Sequence, residues 1–130
     1  MKQKYMDEAP EVLKRFVGYM QTVKGKSEKT VEEYYLDLRT FFRYLKLKRG
    51  LVPADTPFTK IKIQDIDVDF LKTIDLTQVY EFMNYLMNER HNGAAARARK
   101  SCSLRVFFQY ATLKVHLLQD NPVKELESPK

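Results

Sequence analysis

Ala94-Ala95-Ala96-Arg97-Ala98-Arg99-Lys100-Ser101-Cys102-Ser103-Leu104-Arg105-Val106-Phe107-Phe108-Gln109-Tyr110 decides the reading of this chain. Ala, Arg, Lys and Leu are good helix formers, and neither Gly nor Pro interrupts the run, so it predicts a helix. At helical spacing Leu104, Phe107, Phe108 and Ala111 share one side. Ala95, Arg99, Cys102, Val106 and Gln109 share the other. Small residues let a backbone come close to a partner, and long polar ones reach phosphates and base edges. Such a side suits a helix that enters a groove. The plainer alternative is a solvated basic face on an ordinary bundle helix.

Outward from that helix, the same spacing organises the rest. Residues 1–7 are polar and are expected to fray, and residues 1–9 to form a flexible end. Pro10 suits a first helical turn, where its missing N–H costs nothing. Val12, Leu13, Phe16, Val17, Met20 and Val23 form a stripe that Gly25 ends. Ser27 is the expected N-cap of a second helix, with Glu28 and Glu32 in its opening turns. There Val31, Tyr34, Tyr35, Leu38, Phe41, Phe42 and Leu45 hold a three-four spacing for over four turns. Lys29, Leu36, Thr40 and Arg43 lie away from that stripe, on a side expected to face solvent, with Arg39 beside it. Gly50 closes this helix.

Residues 51–60, with Pro53 and Pro57, predict an irregular loop. Phe58, Ile61 and Ile63 alternate with polar residues and predict an extended segment laid over the core. Asp65 or Asp67 can cap a short helix through Phe70 and Leu71. Asp75 or Thr77 caps the next, whose face holds Leu76, Val79, Tyr80, Met83, Leu86 and Met87. Asn92-Gly93 is the expected C-cap. After the basic helix, residues 114–118 predict a short turn or helix, ended by Asn121-Pro122. The expected class is all-α: four main helices plus short ones, in one domain over 10–122, with 123–130 opening a linker.

The chain has 130 residues, 44% of them apolar, which excludes wholesale disorder and lets one domain bury a core without disulfides or metal. Lone Cys102 cannot pair internally and points to a reducing, cytoplasmic setting. Residues 1–11 lack the apolar centre of a signal peptide, and no run approaches the length of a membrane span. Net charge is +6, from 23 Lys and Arg against 17 Asp and Glu, and it is uneven. Residues 24–29 and 90–105 are basic, whereas 65–75 is acidic. Local density of this kind is what attracts phosphates.

No catalytic set assembles. His91 and His116 lack metal-ligand spacing, and one Cys with two His cannot build a zinc site. Asp65, Asp67 and Asp69 alternate without the Gly and Glu of a calcium loop, so capping explains them better. The glycines are isolated, so no phosphate loop exists. Cations near Cys102 could activate its thiol, but a small filler on a helix face is the simpler role. The aromatics sit on the helical stripes and are core by default. No cofactor is expected.

The order of motifs is more specific than any one of them. Ser27-x-x-Thr30-x-x-x-Tyr34-x-x-Asp37-Leu38-x-x-Phe41-x-x-Tyr44-Leu45 resembles the first signature of the N-terminal, core-binding domain of tyrosine recombinases and phage integrases. Arg99-Lys100-x-x-Ser103-Leu104-Arg105-x-Phe107-Phe108-x-Tyr110 resembles the second. Asn121-Pro122 followed by Pro129-Lys130 is similar to that domain's exit into its linker. The resemblance spans about residues 10–130 and is nearest the Xer-like branch. Ser101 stands where the family usually has an apolar residue, and Cys102 where it often has Ser.

The resemblance implies a SAM-like helical domain, half of a clamp around a recombination half-site on double-stranded DNA. It implies further recombinase protomers as partners of the full-length parent, and neither a membrane nor a small molecule. Carried over by position, Ser27 and Thr30 would meet phosphates at a helix start. Lys26, Lys29, Arg39 and Arg43 would line the groove or backbone. Arg97, Arg99, Lys100, Arg105 and Gln109 would do so from the basic helix, Arg97 and Lys100 from nearer the core side. The family's chemistry belongs to a C-terminal domain with an Arg, a Lys, a His-x-x-Arg and a nucleophilic Tyr. Neither His91 nor His116 is followed by Arg three residues on, so this chain is expected to bind DNA without cutting or joining it. The other expectation is a helical protein–protein interaction module with no DNA role, its aromatic stripes partly exposed.

Overall fold

The computed structural model describes residues 1–127, and Pro129-Lys130 lie outside them. Among the described residues there are six α-helices and no strand. They are α1 (Gln3–Glu8), α2 (Glu11–Thr22), α3 (Glu28–Lys48), α4 (Val68–Leu71), α5 (Leu76–Asn88) and α6 (Ala94–Gln109). The all-α expectation holds, with α2, α3, α5 and α6 as the four main helices. Within it the contacts divide into two compact units, one of residues 1–67 and one from Val68 onward.

In the first unit α2 packs on α3. Leu13, Phe16, Val17 and Met20 of α2 are buried, as are Val31, Tyr35, Leu38, Phe41, Phe42 and Leu45 of α3. The Phe16 and Tyr34 rings meet 6.3 Å apart across the pair. Ser27 caps α3 as expected, accepting the Thr30 N–H at 3.2 Å. Gly25 and Gly50 take φ of 62° and 68°, the left-handed backbone that ends α2 and α3 at little cost only for glycine.

The expectations for this unit change in places. The N-terminus is not frayed: α1 forms, and its Tyr5 is buried with its ring 5.6 Å from Tyr35. A six-residue helix is too short to show a period, so its seat on α3 leaves little trace in sequence. Arg43 does not face solvent. It is buried, and its Nε donates to the Ile61 carbonyl at 3.0 Å. Lys46 is buried too, donating to the Lys62 carbonyl at 2.7 Å and pairing with Asp65. Ile61 and Ile63 lie over the core in a segment without strand partners, as expected, whereas Phe58 opens a short 3-10 helix over Phe58–Lys60 and is not buried. Carbonyls so covered need donors. The two cations of α3 supply them.

In the second unit α5 packs on α6. Asp75 caps α5 in a reciprocal capping box with Gln78. The buried face of α5 is Val79, Phe82 and Leu86, whereas Tyr80 and Met87 are 44% and 45% exposed. The expected face is therefore rotated, and Phe82 replaces Tyr80 and Met87 in the core. Leu104, Phe107 and Phe108 of α6 and Ala111 just past its end are buried, as expected. Ser101 and Ser103 are buried beside them, and the Ser101 hydroxyl lies 3.5 Å from the Met83 sulfur. Gly93 does not cap α5. It is the N-cap of α6 at φ −72°, and His91 takes the left-handed backbone at φ 55° instead.

After α6 the chain continues into a π turn over Tyr110–Lys114, in which the Val115 N–H donates to the Tyr110 carbonyl at 3.1 Å. This wider turn replaces the turn or helix expected at 114–118. His116, at φ 54°, then reverses the chain. The stretch from Val123 is not a free linker start as far as Glu127. Val123 and Leu126 are buried, and Arg105 donates to the Leu126 carbonyl at 2.8 and 3.3 Å.

Candidate nucleic-acid interface

Among the described residues, each unit carries an exposed cationic stretch at one of its helices. In the first unit, the α2–α3 turn and the first turn of α3 carry Lys24, Lys26 and Lys29, all exposed, with Ser27 exposed and Thr30 half-buried. The Ser27 hydroxyl donates to Thr30 Oγ1 at 3.0 Å, so cap and threonine hold each other in place. The first backbone N–H groups of a helix point outward and carry partial positive charge, which favours an anion there. Three lysines around that end reinforce it.

Arg39 and Arg43, assigned to the same helix, belong to a different arrangement. Glu8 of α1 accepts from Arg39 Nη1 at 2.7 Å and from the Tyr35 hydroxyl at 2.7 Å. Its other oxygen lies 3.9 Å from Arg43 Nη2. Burial raises the Glu8 pKa, but the hydrogen bonds from Arg39 and Tyr35 and the charges of Arg39 and Arg43 together outweigh it, so the carboxyl titrates below its ordinary 4.5. Burial, then the bond to Glu8, pushes the Tyr35 phenol up, so it stays protonated and donates. Burial, then the neighbouring Arg39 charge, lowers the Arg43 pKa, though a guanidinium remains charged at neutral pH. Because the Glu8 pKa is depressed on folding, its contribution is present in full above about pH 4.5 and is lost as pH falls through the lower folded value. Thermal melts between about pH 5 and 3 should therefore fall more steeply for the native chain than for Glu8→Gln. Parallel curves would show that the carboxylate contributes nothing.

In the second unit, α6 presents Ala95, Arg99, Cys102 and Gln109 to solvent, with Val106 half-buried. That is the side read as groove-facing from spacing alone. Arg97 and Lys100 are half-buried and fold back toward the start of the helix, as their position nearer the core implied. Arg97 Nε donates to the Gly93 carbonyl at 3.4 Å, and Lys100 Nζ to Asn92 Oδ1 at 2.6 Å. Arg105 is turned to the Leu126 carbonyl rather than outward.

Of the eleven residues singled out from sequence, Lys26, Ser27, Lys29, Arg99 and Gln109 are exposed, and Thr30, Arg97 and Lys100 are half-buried at helix starts. Arg39, Arg43 and Arg105 are engaged inside their own units. Exposed Lys24 and Arg90 extend the two basic stretches; their only sequence signal is charge density. Glu8 had no signal at all, lying in a stretch expected to fray. Among the described residues no group of three or more His, Cys, Asp or Glu could hold a metal ion, and no helix is long and apolar enough to cross a membrane.

An all-helical fold with exposed cations at the start of one long helix and along a second defines a small basic helical domain. The family model for the phage integrase N-terminal SAM-like domain matches residues 13–114, and the chain belongs to that family, on its Xer-like branch. The tyrosine recombinase XerC of Caldanaerobacter subterraneus subsp. tengcongensis is 45% identical over 121 residues, covering 93% of this chain and 34% of that protein. A tyrosine recombinase XerC of Leptospira interrogans is 24% identical over 120 residues, covering 92% and 32%. A tyrosine recombinase XerD of Listeria monocytogenes is 26% identical over 122 residues, covering 92% and 34%. The chain thus spans about a third of the length of these curated relatives. No solved structure matches it.

Proposed function

We propose that this chain is the DNA-gripping, core-binding part of a site-specific tyrosine recombinase, holding a recombination half-site on double-stranded DNA. The observation that carries this reading is the exposed side of α6, where Arg99 and Gln109 stand among the small side chains of Ala95 and Cys102. Small residues admit the phosphate walls of a groove and long polar ones reach across it. The start of α3, with Lys26, Ser27, Lys29 and Thr30, supplies phosphate contacts. Arg97 and Lys100 do so from the start of α6. Arg39, Arg43 and Arg105 hold the fold rather than the DNA in the state described.

Strand exchange through a phosphotyrosine, and assembly with further recombinase protomers in the cytoplasm, are proposed of the full-length parent. The residues here bind and orient.

The test is fluorescence anisotropy with a random labelled duplex at about 50 and 200 mM salt, because affinity that comes from phosphate contacts falls steeply with salt. Binding at low salt that is lost at the higher is expected. Arg99→Ala should weaken it several-fold and lower the slope of log affinity on log salt by about one. Absence of binding at both salts would favour a protein-docking module instead. The exposure of Leu113 at 63% and Val115 at 39%, beside the π turn, is what that second reading has in its favour.

A further inference from the structure

Glu8 is placed where an incoming anion would otherwise sit. It lines a cleft of about 330 Å³ together with Arg43, Lys60 and Lys62, and it is the one acid among the described residues that line it. It holds Arg39 through Nη1 alone, while Arg39 Nε is buried with no partner. A guanidinium is most strongly held when two of its N–H groups bind two oxygens of one group in parallel. Glu8 splits its oxygens between Arg39 and Arg43 and leaves that second bond to Arg39 unmade. An unmade bond on a buried donor is costly, so the site is under-filled by its own carboxylate.

The helix that carries Glu8 is also short. It has six residues and one buried side chain, Tyr5. Tyr5 rests on Tyr35 with ring centroids 5.6 Å apart, and the Arg39 guanidinium lies 5.3 Å from the Tyr5 ring. Within α1 itself, the Tyr5 seat and the Glu8 carboxylate are its side-chain ties to α3; just before it the Met1 ammonium pairs with Glu28 of α3, and the Asp7 carbonyl accepts from Gln64.

We infer that α1 is a latch: Glu8 stands in for a phosphodiester on Arg39, and DNA with its higher charge density displaces it. A backbone phosphate can offer Arg39 two oxygens where Glu8 offers one, and Lys60 and Lys62, which line the cleft with Glu8 and Arg43, add positive charge beside the carboxylate it replaces. With α1 closed the Arg39 charge is cancelled and the chain binds weakly. With α1 displaced the first unit gains a phosphate contact. This rests on the DNA-binding reading above and adds to it a self-masking element.

The test is a set of anisotropy titrations on the whole chain with a random duplex, with Arg99→Ala as the independent report on DNA binding. Glu8→Gln should bind about three- to tenfold more tightly and steepen the salt slope by about 0.9, the amount for one further phosphate neutralised. Glu11→Gln, the same charge change at the start of α2, should do clearly less, and adding Arg39→Ala to Glu8→Gln should erase the gain. Tyr5→Ala loosens the seat without altering charge and should also tighten binding, so the inference does not depend on one variant folding. Circular-dichroism melts confirm which variants are folded. If Glu8→Gln and Tyr5→Ala bind like the native chain while Arg99→Ala still weakens binding, the latch is overturned and the DNA-binding reading stands. If no variant binds duplex at either salt, both fall.

Discussion

Phe82→Ala is expected to remove about 3–5 kcal/mol of stability, lowering the thermal midpoint by roughly 10–20 °C. Phe82 is fully buried, and its ring lies 6.3 Å from that of Tyr85 on the same helix. Truncation takes a whole ring out of a close-packed site, and neighbours that already interlock collapse only in part. Tyr80→Ala is the matched control. Tyr80 is 44% exposed and reaches only the Glu125 carbonyl, at 3.5 Å, so its loss should cost under about 1 kcal/mol. The pair decides how α5 is rotated. A mild Phe82→Ala together with a damaging Tyr80→Ala would put the opposite face inward and refute the packing described.

Arg43→Ala is expected to cost about 2–3 kcal/mol of stability while leaving DNA affinity within about twofold, measured where the chain is still folded. Its Nε is the donor to the Ile61 carbonyl, and Ile61 itself is buried. Without that donor the carbonyl is stranded away from water, and the aliphatic stem of the arginine leaves a gap over the core. Arg43→Met should refill the gap and recover part of the loss, but not the hydrogen bond. Arg99→Ala should show the reverse pattern, with weaker binding and little change in melting. Should Arg43→Ala lower DNA affinity as Arg99→Ala does, and melt normally, Arg43 would belong to the interface.

These contrasts mark what spacing could show. The stripe of α3 was legible because Val31, Tyr35, Leu38, Phe42 and Leu45 repeat for more than four turns without a competing pattern. On α5 two patterns compete. Val79 and Leu86 fit both, and Tyr80, Met83 and Met87 continue one as well as Phe82 continues the other. Tyr and Met serve inside and outside alike, so periodicity alone could not choose. Arg43 and Lys46 were read as solvent-facing or passed over because cations usually are exposed. Their burial follows from carbonyls at Ile61 and Lys62, which share no local pattern with α3. The Asn92-Gly93 pair signalled a turn correctly, but the positive φ fell to His91 and Gly93 became a cap.

For the interface, the exposed side of α6 was legible in full, since Ala95, Arg99, Cys102 and Gln109 stand opposite a run of buried Leu and Phe. Which cations are available was not. Arg99 and Arg105 look alike in sequence. One is exposed, and the other is bound to the Leu126 carbonyl some twenty residues further along the chain. Counting charges therefore overstates what could meet a phosphate: three of the eight cations proposed from sequence are used to hold the protein itself.

The π turn after α6 bears on how this segment tolerates change in length. Between Tyr110 and Val115 the chain spends five residues on a step an α-helix makes in four. Each helical residue turns the chain by about 100°, so that one surplus residue sets the bearing of everything that follows. Leu118, Val123 and Leu126 find their buried seats on that bearing. Deleting a single residue here would restore regular α geometry and swing all three out of register, whereas a substitution at exposed Leu113 would leave them where they are.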